Sequence, residues 1–500
     1  MSENISRKKL YLVVFLTGAI VMILELIGSR ILAPIFGTSI FVWTSLIGII
    51  LGAMSLGYYY GGKIADKNPN LKFFSSIILF SGCLVFLILI IKDFVLYSGL
   101  FLGIRTGTVV SATILFALPA MFLGAVSPYA VRLSMKAVES SGHTVGNLYA
   151  VSTFGSIVGT FLAGFYLIPR FGSATILYGI AIALFFISAL VYLEKKFAIR
   201  TIFILLFLVI VSFSASAMSN SNFIVDKDSA YNHIRVYDTE DEHGRVIRIM
   251  SVENFFDSGM FLDSDELAFE YSKFFRLGGI FNKEIKKAVI FGGAAYSIPK
   301  DFLSKNKNAT IDVVEIDPMT TEIAKKYFRL KDNYRLNIYH QDARIFLNKT
   351  DKNKYDIVYN DAFSSACAVP FHLTTREAIE KIYNILNDDG VYVINLISAI
   401  TGDYSDFFRA EYKTIKEKFK NVYVFPIEEY SQNFLKTHQN IVIIASKRNI
   451  NINDLMEKAK DKETKKMLKH YWTYKIKIDN IRTLTDDFAP VNYYAVKYCN

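Results

Sequence analysis

Ala288-Val289-Ile290-Phe291-Gly292-Gly293 is a short apolar run that stops on two glycines. Val313-Val314-Glu315-Ile316-Asp317 repeats the arrangement and stops on acids. Short apolar runs bounded by such residues read as strands buried on both faces, as in a parallel sheet. Glycines after the first strand let backbone approach a ligand closely. A carboxylate about 20 residues further on is placed to accept from both hydroxyls of a ribose.

Outward from this pair, the chain alternates. Strands are expected at 287–291, 311–315, 336–339, 355–360, 390–396 and 440–445, with helices near 297–305, 318–328, 375–387 and 404–419. Such alternation implies a mostly parallel sheet with helices on both faces, and ligands bind beyond the carboxyl ends of its strands. Four successive strand ends carry candidates: Gly292 and Gly293, then Glu315, then Asp342 and Ala343, then Asp361. At the third, a carboxylate can accept from an adenine amino group; the fourth is the lip where chemistry would occur. Each alone is ordinary, since Gly-Gly is often a tight turn and Asp often a helix cap. Four in order point to a nucleoside. There are too few glycines for a dinucleotide fingerprint and no GK[ST] for a triphosphate. Ahead of this region, His233 to Tyr237 and Arg245 to Val252 read as strands around an Asp241-Glu242-His243-Gly244 hairpin turn.

The first 218 residues differ in kind. The chain is 52% hydrophobic, and most long apolar runs lie in residues 10–218. Seven segments are long enough to span about 30 Å of hydrocarbon: 11–33, 40–60, 73–92, 107–130, 148–168, 173–193 and 200–218. Gly155, Gly159 and Ala163 put small residues on one face of the fifth, which permits close helix packing. Glu25 lies deep in the first, where a carboxylate is costly unless paired, protonated or facing a cavity; Arg30 is a candidate partner. Basic residues crowd the loops on the N-terminal side, which places the N-terminus inside. Seven crossings then put the C-terminal half outside, away from a cytosolic substrate, so the side it faces stays open. The run after Arg7-Lys8-Lys9 is too long for a cleavable signal.

The net charge of +10 has no clustered basic face, which excludes a nucleic-acid role. Cys83, Cys367 and Cys499 form no CxxC and no metal-ligand spacing, so neither a disulfide framework nor a metal is expected. Asn451 to His470 reads as one charged, solvated helix.

The chain resembles the spermidine synthase (polyamine aminopropyltransferase) family, in its membrane-fused branch. In the apolar half the resemblance rests on Glu25, Gly28-Ser29-Arg30-Ile31-Leu32-Ala33-Pro34, Gly61-Gly62-Lys63-Ile64-Ala65-Asp66, Gly124-Ala125-Val126-Ser127-Pro128 and Tyr149 to Ser156. In the polar half it rests on Val314 to Asp317, Asp342-Ala343-Arg344, Tyr355 to Phe363, Pro370 to Thr375 and Leu484 to Val491. The resemblance implies a substrate of the S-adenosylmethionine type. Soluble members use the decarboxylated form, move its aminopropyl group to an amine and release methylthioadenosine. Carried over, Glu315 would hold the ribose, Asp342 the adenine amino group and Pro370 the adenine face. Asp361 would sit at the reacting centre, and Tyr231 would line the amine pocket. Several family groups are replaced: an acid of the glycine loop by Ala295, a second acid by Ser364, a glutamine by Asn232, and a Tyr-His-Glu stretch by Phe269-Glu270-Tyr271. Several of these are the groups that hold a diamine, whose buried charges need carboxylates.

The expected architecture is a multi-pass α-helical membrane bundle (1–220) fused to a small β-subdomain (221–285), a Rossmann-like, class I methyltransferase-type domain (286–447) and a C-terminal extension (448–500). The expected function is a membrane-bound, spermidine-synthase-like transferase acting on S-adenosylmethionine or its decarboxylated form. Two alternatives accompany it: acceptor-free cleavage of S-adenosylmethionine to methylthioadenosine with a lactone or elimination product, and a non-catalytic nucleoside-sensing transporter. Methyl transfer uses the same fold. The expected partners are the lipid bilayer and a small nucleoside substrate; a homo-oligomer is left open.

Overall fold

The structure, a computed structural model, describes residues 5–135, 141–192, 223–253, 255–282, 284–362, 369–428 and 435–496. The chain divides into two compact units, the first formed by Met1–Asn222 with Asp228–Ala230 and the second by Phe223–Lys227 with Tyr231–Asn500.

In the first unit, six helices among the described residues are long and apolar enough to cross a membrane: Arg7–Phe36, Ile40–Lys67, Leu71–Leu100, Gly103–Ser134, Gly142–Arg170 and Ser173–Val191. The seventh expected segment, 200–218, lies outside the described residues. Two of the helices widen into a π-turn, at Thr113–Ala117 and Ala163–Leu167. Each widening sits just before a proline, Pro119 and Pro169. A proline inside a helix lacks an N–H and crowds the carbonyl four residues back, and a wider turn relieves both.

The small residues of the fifth helix are at a crossing. A Cβ on Gly155 would strike the Phe15 carbonyl, and one on Gly159 would strike that of Ala19. Because 155 meets 15 and 159 meets 19, the two helices run parallel. Ser156 Oγ adds a hydrogen bond to the Gly18 carbonyl at 3.1 Å. Backbone meets backbone here, so no flexible side chain can yield. Gly155→Leu is therefore expected to destabilise this unit by at least about 3 kcal/mol, the upper range for overpacking. Thermal unfolding of the protein in detergent, compared with Gly164→Leu at an open position, measures it.

Arg30 does not pair with Glu25. Its guanidinium donates to the carbonyls of Ala230 (2.9 Å) and Ser229 (2.7 Å). The five-residue offset puts the two side chains on different faces of the helix, as the 3.6-residue period requires.

The second unit begins with a four-stranded sheet, β1 (Val225–Asp228), β2 (His233–Glu240), β3 (Val246–Val252) and β4 (Phe255–Phe261), in that spatial order. The β2–β3 turn is closed by Asp241, whose carboxylate accepts from the N–H groups of His243 (2.9 Å) and Arg245 (2.8 Å), with Gly244 in the left-handed region at φ 75°.

Seven strands follow: β5 (Lys287–Phe291), β6 (Thr310–Val314), β7 (Leu336–Tyr339), β8 (Tyr355–Asn360), β9 (Leu386–Ser398), β10 (Asn421–Pro426) and β11 (Gln439–Ser446). Their order is β10-β11-β9-β8-β5-β6-β7, parallel from β9 through β7, with β11 antiparallel to both its neighbours. Alternate residues of β5 face two cores, Ala288 and Ile290 on one side, Val289 and Phe291 on the other. The chain winds outward from β5 to β7, then returns to β8 on the far side of β5. That reversal opens a crevice at the carboxyl ends of β5 and β8, where such sheets bind ligands.

Asn451 to His470 is not one solvated helix. It forms two, Ile452–Lys458 and Lys462–Lys469, and Ile452, Met467 and Leu468 are buried in the core. His470 Nδ1 contacts the Pro426 carbonyl at 2.9 Å, which ties the pair to the edge strand β10.

Candidate active site

The β5 end turns on Gly292 at φ 91°, and its N–H donates to the Val314 carbonyl at 2.9 Å. A Cβ there would lie 2.6 Å from the Asp361 carbonyl, so glycine is required both by the backbone and by the neighbouring strand end. Ala294 (φ 42°) and Tyr296 (φ 58°) are also left-handed, an uncommon conformation that tends to cluster at ligand sites. The buried Tyr296 hydroxyl is locked to Thr321 Oγ1 at 2.6 Å, and Thr321 in turn to His340 Nε2 at 3.0 Å.

Glu315 braces this loop. Its Oε2 accepts from the N–H groups of Gly293 (2.8 Å) and Ala294 (3.2 Å), and its Oε1 from Asp317 (2.9 Å). Burial pushes its carboxyl above the usual range, against the pull of those three donors. A carboxylate offers about four acceptor positions, so about one remains for an incoming hydroxyl. Taking both hydroxyls of a ribose requires the loop to release one of its own bonds.

Asp342 caps the helix Ala343–Lys349, its Oδ1 accepting from Arg344 (2.8 Å) and Ile345 (3.0 Å). Its Oδ2 is 3.1 Å from His372 Nε2. His372 lies in the short turn Phe371–Leu373 that follows Pro370, so this contact brings the Pro370 segment beside Asp342 and Ala343. Arg344 completes the wall. Its Nη1 donates to the His372 carbonyl (2.6 Å) and Thr375 Oγ1 (3.2 Å), and its Nη2 to Asp486 Oδ2 (2.6 Å). Three motifs far apart in sequence, at 342–344, 370–375 and 485–486, thus form one structure.

Asp361 is half-buried on the other side of the glycine loop, its N–H donating to the Phe291 carbonyl at 3.0 Å. Asn395 Nδ2 donates to its Oδ1 at 3.2 Å and the Tyr271 hydroxyl to its Oδ2 at 3.3 Å. Burial pushes its carboxyl up to about 6, outweighing those two donors. A carboxylate near that value is a competent proton acceptor at neutral pH. Tyr271→Phe removes a donor that favours the charged form, so the acidic limb of the rate–pH profile is expected to move to higher pH. Initial rates between pH 5 and 8 measure this; a limb that stays in place or moves down contradicts it.

The structure therefore sets Glu315 and Asp361 on either side of Gly292 and Gly293, and Asp342 and Ala343 beside Pro370. Tyr231 is 47% exposed just ahead of β2, and the hydroxyl on Asp361 is that of Tyr271. Ala295 is fully buried. Ser364, Cys367 and Cys499 lie outside the described residues. Sequence reasoning missed Asn395, which stands near the end of β9, the strand next to β8; the strand-end rule carried one strand further would have found it.

Residues 269–454 match the spermine/spermidine synthase domain. A polyamine aminopropyltransferase of Vibrio vulnificus (strain CMCP6) is 26% identical over 246 residues, which cover 47% of this chain and 78% of that protein. Polyamine aminopropyltransferase 2 of Aquifex aeolicus (strain VF5) is 22% identical over 468 residues, covering 90% of both chains. An N-terminal histidine N-methyltransferase of Emericella nidulans is 34% identical over 143 residues, 28% of this chain and 24% of that protein. For three further polyamine aminopropyltransferases the chain spans about half their length, 53–54%.

Proposed function

We propose that this chain, whose residues 269–454 match the spermine/spermidine synthase domain, transfers an aminopropyl group from decarboxylated S-adenosylmethionine to a nitrogen nucleophile. The observation that carries the reading is Asp361: a half-buried carboxylate with its proton affinity raised to about 6, at the lip of the β5–β8 crevice. The adenosine lies along Gly292, Gly293, Glu315, Asp342 and Pro370. The nucleophile's nitrogen attacks the carbon next to the sulfonium. A C–N bond forms, the C–S bond breaks, and its electron pair neutralises the sulfur, so methylthioadenosine leaves uncharged. The proton shed by the nitrogen passes to Asp361 and then to water. The protein's contribution is alignment of the two reactants and a preset electrostatic environment. The helical unit holds the enzyme in a lipid bilayer, in keeping with the six long apolar helices among its described residues.

A second reading is favoured by one feature. Both described side chains on Asp361 are uncharged, Tyr271 standing where the family has an acid, and the loop position of another acid is the buried Ala295. Intact S-adenosylmethionine needs no diamine pocket: its own carboxylate can displace the sulfonium and close a lactone. Chromatographic detection of methylthioadenosine separates the readings. Release requiring both the decarboxylated substrate and an amine supports transfer. Release from S-adenosylmethionine alone supports cleavage and rejects transfer. S-adenosylhomocysteine as the product rejects both in favour of methylation.

A further inference from the structure

The second unit holds another cleft, of about 270 Å³, on the face of the sheet covered by the helix Ser297–Lys305. Tyr359, on β8, forms part of its floor. Tyr359 is only 3% exposed, its ring held between those of Phe275 (5.5 Å) and Phe302 (6.1 Å). Its hydroxyl hydrogen-bonds to no described residue. Buried tyrosine hydroxyls nearly always find a partner, and one left facing a cleft calls for a ligand to supply it.

Charge decides which ligand. Three carboxylates line the cleft, Asp301, Asp461 and Glu463, against two cations, Arg276 and Lys305. Arg276 is already committed: Nε and Nη2 fork onto Asp301 at 2.9 and 2.8 Å, and Nη1 reaches Glu463 at 2.6 Å. An anion would have to break that arrangement. A neutral hydroxyl or amide could satisfy Tyr359 but would leave the excess negative charge in place. Burial, and behind it the charge of Asp301, already raise the Tyr359 phenol, so the field at its oxygen favours a positive group. Ammonium groups also rest favourably near aromatic rings, and two more lie at hand in Phe275 and Phe302.

We propose that this cleft binds a small primary ammonium compound, with its nitrogen between the Tyr359 hydroxyl and the Asp301 carboxylate and its carbon chain against Phe275 and Phe302. The site is separate from the carboxylate that accepts the proton in catalysis, yet close to it in the chain. Ser272 in its wall follows Tyr271, whose hydroxyl rests on Asp361, and Tyr359 precedes Asp361 by two residues. An occupant bears directly on the short helix Glu270–Phe274 that presents Tyr271.

Calorimetric titration of the full-length protein in detergent with 1,4-diaminobutane tests this, using wild type, Tyr359→Phe, Glu463→Gln and Asp361→Asn. Tyr359→Phe removes one oxygen and keeps the ring packing; Glu463→Gln changes an exposed rim residue. Thermal midpoints check that each variant folds. Tyr359→Phe is expected to weaken binding at least about tenfold, the loss of a hydrogen bond to a charged group, and Glu463→Gln to weaken it severalfold. Asp361→Asn should keep this site. Unchanged affinity in both Tyr359→Phe and Glu463→Gln overturns the proposal, as does no binding up to about 10 mM. So does amine binding that is lost in Asp361→Asn but kept in Tyr359→Phe, because the amine would then belong to the catalytic centre. None of these results bears on whether methylthioadenosine is formed.

Discussion

Asp361→Asn is expected to lower turnover by about 10²–10⁴-fold, the usual contribution of a positioned general base, while nucleoside binding stays within about threefold. The substitution suits the site. The asparagine oxygen can accept from Asn395 Nδ2, and the new amide can donate to the Tyr271 oxygen, which accepts as well as it donates. Packing is kept and only the proton acceptor is lost, so a fall in rate reports chemistry rather than misfolding. The wild-type profile should show the same group. Its working form is the carboxylate, so kcat/KM should climb with pH and level off above about 6. Stability runs the opposite way. The folded carboxyl holds its proton more tightly than the unfolded one, so its contribution is fully present below the unfolded value of 3.8 and is lost as pH rises through about 6. The variant should therefore gain about 1–3 kcal/mol over wild type at pH 8 relative to pH 4, given 1.36 kcal/mol per unit. Turnover unchanged in Asp361→Asn removes this residue from the mechanism.

What was legible in the sequence, and what was not, follows from the range of each interaction. The places of Glu315, Asp342 and Asp361 at strand ends were readable because the parallel strands are short apolar runs with sharp ends, and a local rule puts ligands beyond such ends. The partners of Asp361 were not, since Tyr271 and Asn395 lie 90 and 34 residues away in sequence and meet it only through the sheet order. The same holds for His372 on Asp342, 30 residues on, and for Arg30, whose carbonyl partners are about 200 residues distant. β10, at Asn421–Pro426, is not among the strands expected from the sequence. As an edge strand it tolerates a terminal proline, which a central strand would not. The two helices at 452–469 read as one solvated helix because lysines and acids dominate the segment; the few apolar residues that dock it, Ile452, Met467 and Leu468, are too sparse to give a periodic signal.

Glu315→Gln is expected to abolish nucleoside binding and to cost about 1–3 kcal/mol of stability, even though the two side chains have the same shape. The reason is the direction of the hydrogen bonds. Both carboxylate oxygens accept from backbone N–H groups, Oε2 from Gly293 and Ala294, Oε1 from Asp317. A glutamine must place its NH₂ on one of those sides. Turned toward the glycine loop, it sets a donor against two donors; turned the other way, against the Asp317 N–H that starts the helix Pro318–Tyr327. Leaving such a donor unpaired in a site where Glu315 is 8% exposed carries the full desolvation penalty. The loop is vulnerable because Gly292, Ala294 and Tyr296 already hold left-handed backbone that only its surroundings enforce. With the brace gone, the loop should relax and close the approach proposed for the nucleoside. Glu315→Asp makes the complementary case: it keeps two acceptors on a shorter stem, so it should retain measurable binding where Glu315→Gln retains none. Calorimetry with methylthioadenosine on both variants, alongside thermal midpoints, measures the difference. Equal affinity in Glu315→Gln and wild type would show that the carboxylate neither shapes the loop nor touches the ribose.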